Sequence, residues 1–309
     1  MDGGIPPRST QMKRHRPHGT DQKSRLLNRL RKTSRGEGGR SEHVLRPTLL
    51  GIWTANRREG TEFAQLDPHI QHEKMLTGTP KVSEYVLERH LEEERKKRYR
   101  ERFGRGNIKS LCIDGFLKTE VAQDVCEFLS DGVVFERIYG LYGVDEPVDR
   151  DTWERADDAD RMYTFSREDG MRDGVSGFRP IKYRRVRDLI GGEAFIEYLE
   201  ELTGTVLTDL QSLAASAYGV GDYLRPHTDQ GGDRKIAYII YLNPEWREEW
   251  GGALHLVDAE SNKTEYGFRH NRLVLFDVHD HKHHYIEEIS EEAGEQLRYT
   301  LGGWVNGSE

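Results

Sequence analysis

The chain has 309 residues, of which 35% are hydrophobic and 32% are charged, so it is more polar than a typical globular protein. Its net charge of −8 is uneven, because residues 1–50 hold 12 basic and 4 acidic residues, which leaves −16 for residues 51–309. No apolar run approaches the roughly 20 residues that span a bilayer, and no signal-peptide core is present, so we expect a soluble protein with no membrane partner. The only cysteines, Cys112 and Cys126, do not form a disulfide framework and favour a reducing compartment: the cytoplasm, or the nucleus in a eukaryote.

Residues 1–80 are predicted to form a basic, largely disordered N-terminal extension. The first 45 or so are rich in Gly, Pro, Ser, Arg and Lys, a composition that buries too little apolar surface to offset the entropy of ordering. KSRLLNRLRK could form a short helix, and LLGIW fits either a packed strand or a docking segment. The positive charge could contact nucleic acid, but no aromatic residues are interleaved to stack bases, which favours a solvated tail.

Three helices and one strand are predicted before residue 207. Residues 81–106 form a charged helix in this prediction, because VSEYVLERHLEEERKKRYRERFG has many i,i+4 acid–base pairs and a terminal glycine. NIKSLCIDGFL has the alternation of a strand, and TEVAQDVCEFLSDG has helical apolar spacing after Thr119 as its cap. GEAFIEYLEELTG predicts a further helix that Gly204 closes.

From residue 207 the chain consists of short β-type runs that Gly, Asn, Asp and Pro separate. Six or more strands at this spacing favour a sandwich or barrel, and no repeat of fixed period is visible. We therefore predict an α+β fold with a β-barrel core and preceding packing helices. The predicted runs are LQSLAASAY, RKIAYIIYL, GGALHLVD, RLVLFDV, HYIEEI and RYTLGGWV.

His227-Thr228-Asp229 is the first candidate metal site. In a strand, residues i and i+2 point to the same face, so the imidazole and the carboxylate could reach one ion. The same spacing in His90-Leu91-Glu92 falls in a run predicted to be helical, where the two side chains diverge. The pattern alone is weak, and an Fe(II) oxygenase site needs a second histidine from elsewhere.

HDHKHHY, residues 279–285, offers four candidates for that histidine. If HYIEEI is a strand, His284 shares a face with Ile286, and an apolar neighbour is expected for a ligand that points into a barrel. His284 is therefore preferred, and a register slip would put His281 or His283 in its place. The alternative for the whole segment is a histidine-rich surface patch without a specific metal.

Arg298 and Thr300 open the last predicted strand on one face. A guanidinium can hold a carboxylate through two hydrogen bonds and a hydroxyl can add another, so the pair could anchor a dicarboxylic cosubstrate. The alternative is a salt bridge at the surface, which a single arginine forms more often. The order HxD, His, RxT over successive strands favours the cosubstrate interpretation.

The stretch from about Leu111 to Val305 resembles the iron and 2-oxoglutarate-dependent oxygenase superfamily, in particular its prolyl 4-hydroxylase-like branch. Within that branch it is similar to the catalytic domain of enzymes that hydroxylate a proline of a small-subunit ribosomal protein. The resemblance is carried by CIDGFL, DRMYTFSRED, FIEYLEELTG, SAYGVGDYLRPHTD, KIAYIIYLNPEW, WGGALHLVD, NRLVLFDV, HYIEEI and RYTLGGWV, in the family's order.

The resemblance implies a double-stranded β-helix of the jelly-roll or cupin type over residues 107–305. It implies that His227, Asp229 and His284 bind iron and that Arg298 holds the distal carboxylate of 2-oxoglutarate. Tyr218, nine residues before His227, matches a tyrosine that often helps to bind the same cosubstrate.

The activity that the resemblance implies is that of a dioxygenase using Fe(II), 2-oxoglutarate and O₂, with ascorbate in support. It would hydroxylate an unactivated C–H bond, in a prolyl or other residue of a protein or peptide, and release succinate and CO₂. One alternative is hydroxylation of a free amino acid or small metabolite, and another is a catalytically silent β-barrel that binds a partner. Trp246, Trp250 and His255 could touch substrate at the mouth of the site, but aromatic residues at strand ends more often pack.

Overall fold

The computed structural model describes residues 78–308. The solvated tail predicted for the basic extension, its alternative of a nucleic-acid contact, and the segments KSRLLNRLRK and LLGIW lie outside these residues and stay predictions. Within the described range, no helix is long and apolar enough to cross a membrane. Cys112 and Cys126 are both free thiols.

The helices lie mainly in the first half of the described chain. The α-helices are α1 (Val82–Tyr85), α2 (Glu93–Phe103), α3 (Thr119–Asp131), α4 (Arg150–Arg155), α5 (Phe178–Ile190) and α6 (Glu193–Thr203), with 3₁₀ turns at Glu88–His90, Asp158–Asp160, Glu248–Trp250 and Glu291–Ala293.

The strands form one antiparallel sheet in the order β1-β10-β7-β12-β5-β3-β6-β11-β8-β9, with β2 paired to β3 and β4 paired to β12. Eight of them, β3, β5, β6, β7, β8, β10, β11 and β12, line a common pocket, so the sheet wraps around it. This is the predicted double-stranded β-helix. The strands are β1 (Ser110–Asp114), β2 (Val133–Leu141), β3 (Arg161–Met171), β4 (Leu207–Leu210), β5 (Ala214–Tyr218), β6 (Tyr223–His227), β7 (Arg234–Tyr241), β8 (Leu254–Val257), β9 (Lys263–Tyr266), β10 (Arg272–Asp277), β11 (His283–Ile286) and β12 (Arg298–Gly307).

Strand β10 shows how the core is divided. Leu273 and Leu275 pack in a cluster that includes the helices, whereas Val274 and Phe276 pack in a second cluster inside the barrel. Alternate residues of a strand point to opposite faces, so β10 is buried on both sides. Its uninterrupted apolar run follows from this position.

The single charged helix predicted over residues 81–106 is wrong. Val86 is extended and forms a β-bridge with Leu117, and the chain resumes an α-helix only at Glu93. The ring of His90 is buried and bonded to the Tyr99 hydroxyl (Nδ1 to Oη, 2.7 Å) and to the Gly115 carbonyl (Nε2 to O, 2.8 Å). These tertiary contacts outweigh the helical propensity of the segment.

The other predicted helices form, with small differences at their ends. Helix α3 has Lys118 rather than Thr119 at its N-cap, and no side chain caps it. Gly204 ends α6 in the left-handed conformation, with φ of 71°, as the sequence predicts. The sequence does not predict the β2–β3 hairpin or α5. Strand β3 inserts between β5 and β6 and so belongs to the β-core, yet it comes before α5 and α6 in the chain. The helices therefore do not all precede the β-core.

Asn271 joins the turn before β10 to the segment after β1. It is buried with φ of 56°, its Oδ1 accepts from the Leu117 amide (2.8 Å), and its Nδ2 donates to the Leu117 carbonyl (2.7 Å). Replacing Asn271 with alanine should lower the free energy of unfolding by about 3 kcal/mol, because two buried backbone groups lose their partners and alanine disfavours this backbone. Urea unfolding would measure the loss.

Ser261 offers a matched control for that substitution. It has a similar positive φ of 71° but is exposed. Ser261→Ala should change the unfolding free energy by less than about 0.5 kcal/mol, as is usual for surface substitutions. Equal losses at the two positions would contradict the role given to the Asn271 amide.

Candidate metal and cosubstrate site

Three side chains meet at one end of the pocket. His227 is the last residue of β6, Asp229 lies two residues beyond it, and His284 on β11 is the cross-strand partner of His227. The two imidazole rings have centroids 4.2 Å apart, and Asp229 places Oδ1 3.3 Å from Nε2 of His227 and Oδ2 3.3 Å from Nε2 of His284. Among the described residues these three form a group that could hold a metal ion, with ligand atoms within 4.8 Å of one another.

The protonation of the site favours a cation. Nδ1 of His227 lies 3.0 Å from the Arg225 carbonyl, which can only accept, so Nδ1 is the donor to that carbonyl and Nε2 faces Asp229. Burial lowers the pKa of His284 to about 4, so this ring is neutral at pH 7. Burial alone would raise the pKa of the Asp229 carboxyl, but the two facing imidazoles hold it well below its usual range. Two imidazole nitrogens and a carboxylate therefore converge, which is the donor set of a 2-His-1-carboxylate iron site.

The Asp229 carboxylate is held in place by Trp304. The indole Nε1 donates to Oδ2 of Asp229 over 2.8 Å, and the Arg234 guanidinium stacks on the indole at 4.1 Å from its centroid. A carboxylate fixed in this way keeps one orientation toward an ion, as the supporting groups of metal sites usually ensure.

Arg298 is a buried cation without an anionic partner among the described residues. It is 1% exposed, and its Nε and Nη2 have no hydrogen-bond partner in this part of the chain. The rings of Tyr218, Tyr241 and Phe268 surround the guanidinium at 5.0 to 5.1 Å from their centroids. A buried guanidinium in an aromatic cage is costly unless a bound anion compensates it, so the site fits a carboxylate ligand.

Tyr218 and Thr300 lie beside Arg298 on the pocket wall. Arg298 pairs with Tyr218 across β12 and β5, and Thr300 pairs with Ser216, so all four side chains share a face. Burial raises the pKa of Tyr218, so its phenol stays neutral and can donate. The structure thus brings all six predicted site residues to one pocket.

Gly252 allows Arg298 to reach its position. Its φ of 77° is left-handed, and a Cβ there would lie 3.0 Å from Cδ of Arg298 and 2.7 Å from the Ile289 side chain. Any larger residue would push against the guanidinium stem. Gly252 therefore has a packing role beside Arg298.

The other aromatic candidates do not line the pocket. Trp246 and Trp250 pack edge to face with centroids 5.2 Å apart. His255 lies on the outer face of β8, where it is buried under Tyr285, stacks on that ring and bonds Oε1 of Glu287 through Nε2 over 2.6 Å. The packing interpretation holds for all three.

Sequence reasoning does not identify Trp304 and Arg167, and it considers His281 only as an alternative ligand. Trp304 shares the face of Arg298 and Thr300, so extending the alternation to Gly302 and Trp304 could have found it. Arg167, an exposed cation on β3, has no comparable signal in the sequence, and His281 contacts the ligand His284 instead of replacing it.

A comparison with protein families decides the assignment of this site. The profile of the 2OG-Fe(II) oxygenase superfamily matches residues 213–306, which include all six predicted site residues. Residues 213–306 therefore carry a 2OG-Fe(II) oxygenase domain. Enzymes of this superfamily use Fe(II), 2-oxoglutarate and O₂, and the His-Asp-His group and the caged arginine of this chain fit the first two.

Relatives within the superfamily are prolyl hydroxylases by name. Prolyl 3-hydroxylase OGFOD1 of Xenopus laevis is 30% identical over 121 residues, which cover 37% of this chain and 23% of that protein. Prolyl 3-hydroxylase sudestada1 of Drosophila melanogaster is 30% identical over 122 residues, which cover 36% and 22%. The matched stretch is thus less than a quarter of the length of either relative.

Among solved structures, a prolyl hydroxylase of Trichoplax adhaerens in complex with a peptide fragment of the hypoxia inducible factor oxygen degradation domain is similar. It has a TM-score of 0.47 and 18% identity, and the match covers 70% of this chain and 90% of that one.

Proposed function

We propose that this chain is an Fe(II)- and 2-oxoglutarate-dependent dioxygenase that hydroxylates a prolyl residue of a protein or peptide. The observation that carries the proposal is the presence in one pocket of three converging metal ligands and a buried guanidinium that has no anionic partner among residues 78–308. A catalytically silent barrel would have no reason to bury a charge in this way. The choice of a prolyl substrate is supported by the names of the relatives.

Each residue of the site has a separate task in this proposal. Fe(II) bound by His227, Asp229 and His284 would supply the redox chemistry that couples decarboxylation of 2-oxoglutarate to hydroxylation of a C–H bond. Arg298 would hold the distal carboxylate, and Tyr218 would donate to the same group. The overall reaction balances, since 2-oxoglutarate, O₂ and the substrate C–H give succinate, CO₂ and the C–OH product.

The pocket surroundings support orientation and exclusion of water. The apolar wall buries the anion site, where charge-assisted hydrogen bonds are stronger than in water. Its apolar members include Phe165, Leu224, Ala237, Ile239, Leu254, Phe276 and Ile286.

The substrate class can be tested with the full-length chain, Fe(II), 2-oxoglutarate and ascorbate. The probes are proline-containing peptides from small-subunit ribosomal proteins, the same peptides with alanine in place of proline, and free L-proline. We expect peptides with proline to gain the mass of one oxygen atom together with an equal amount of succinate. Amino-acid analysis would then distinguish hydroxylation at C-3 from C-4.

Two results would overturn this proposal. A product formed only from free amino acids or other small molecules would replace it with a small-metabolite hydroxylase. Oxidation of the alanine peptides to the same extent would show that proline is not the target. His284→Ala serves as the catalytic control and should give neither succinate nor product above background.

A further inference from the structure

His281 lies behind the metal ligand His284. Its Nε2 is 2.9 Å from Nδ1 of His284, and its own Nδ1 is 3.1 Å from the carbonyl oxygen of Asp277. The ring is 6% exposed and packs edge to face on Phe276, with centroids 5.4 Å apart. It is absent from the set of groups that converge on the ion position.

These contacts assign the donor and the acceptor between the two rings. The Asp277 carbonyl can only accept, so Nδ1 of His281 carries a proton and donates it. With Nδ1 as its donor, His281 offers Nε2 as the acceptor for Nδ1–H of His284. This bond turns Nε2 of His284, rather than Nδ1, toward Asp229 and the ion position.

The loop that carries His281 is anchored at both ends. Oδ1 of Asp277 accepts from the His279 amide over 2.9 Å, and the Lys282 amide donates to the Val257 carbonyl over 2.8 Å. Because the backbone is held on either side, the imidazole of His281 has little freedom to turn away from His284. The hydrogen bond is therefore part of a fixed frame.

We propose that His281 is a positioning residue that sets the tautomer and the ring orientation of the metal ligand His284. This inference rests on the proposed metal site and assigns no contact between His281 and the ion. A supporting role also accounts for His281 as a buried histidine close to His284 that is not itself a ligand.

The test compares Fe(II) binding, measured anaerobically by calorimetry, in wild type and variants. His281→Phe keeps a ring against Phe276 but removes the acceptor, and we expect the dissociation constant to rise 10- to 100-fold, about the range for groups that support a metal ligand. His281→Gln restores an acceptor oxygen and should bind within about threefold of wild type. His283→Gln removes a neighbouring histidine that pairs with Val257 and should have no effect.

A spectroscopic readout on the metal-free wild type separates positioning from a general structural role. Nitrogen-15 NMR should show His284 protonated on Nδ1, with scalar coupling across the hydrogen bond to Nε2 of His281. This measurement uses only the wild type, so it can be made even if His281→Phe does not fold, and it does not depend on activity.

The outcomes separate this inference from the proposed function. If wild type binds Fe(II) but His281→Phe binds equally well, or if His284 is protonated on Nε2, the positioning role is overturned while the metal site stands. If wild type does not bind Fe(II), the proposed function fails, and the coupling between the two rings still decides whether His281 sets the tautomer.

Discussion

Replacing Asp229 with alanine is expected to weaken Fe(II) binding by more than about 100-fold, beyond the loss seen for groups that only support a ligand. Succinate formation should fall to background. Asp229 is the anion among the three converging side chains, and without it only the two imidazoles face the ion. Anaerobic calorimetry with Fe(II) and a coupled assay for succinate would measure the two effects.

Two further variants show whether this loss is local. Asp229→Asn retains an oxygen that can accept from Nε1 of Trp304, so it removes the charge and keeps the hydrogen bond. It should also fail to form succinate, with an unfolding midpoint close to wild type. Asp209→Ala changes an exposed carboxylate on β4 and should leave both measurements unchanged. Wild-type iron affinity in Asp229→Ala would contradict the ligand assignment.

Replacing Arg298 with leucine is expected to raise the KM for 2-oxoglutarate at least about 100-fold, because charge-assisted hydrogen bonds worth about 3 kcal/mol are lost. Fe(II) binding should be retained, since Arg298 is not among the ligands. The unfolding midpoint of the cosubstrate-free protein should stay the same or rise, because the substitution removes a buried charge whose Nε and Nη2 have no partner in the described chain. Steady-state kinetics would measure the KM for 2-oxoglutarate, and thermal unfolding would measure the midpoint.

Arg187 is the matched control, because it is a partly buried arginine that does have a partner. It forms an ion pair with Glu168 and contacts the Tyr183 hydroxyl. Arg187→Leu should lower the unfolding midpoint, since it leaves Glu168 unpaired, and should leave the KM for 2-oxoglutarate unchanged. A fall in stability of Arg298→Leu with an unchanged KM would assign Arg298 to structure rather than to cosubstrate binding.

Strand periodicity is sufficient to predict most of this site. Period-2 alternation puts Arg298 and Thr300 on one face, and it pairs His284 with the apolar Ile286 on the inner face of β11. The sequence also predicts the β-core, because its strands are short apolar runs with turn residues between them. These features depend on near neighbours in the chain.

The parts that the sequence does not reveal depend on distant pairing. The bond from Trp304 to Asp229 joins residues 75 positions apart, and the insertion of β3 between β5 and β6 follows from the closure of the whole sheet. The break after Tyr85 has the same origin, because the bridge from Val86 to Leu117 competes with a helix that local propensity favours.

The central claim is that one pocket binds both Fe(II) and 2-oxoglutarate. The most direct test is an anaerobic titration of the metal-free protein with Fe(II) and then with 2-oxoglutarate, followed by admission of O₂ and measurement of succinate. The site predicts one equivalent of each ligand and succinate formed only when both are present. A protein that binds neither ligand would contradict the assignment of the His-Asp-His group and of Arg298 alike.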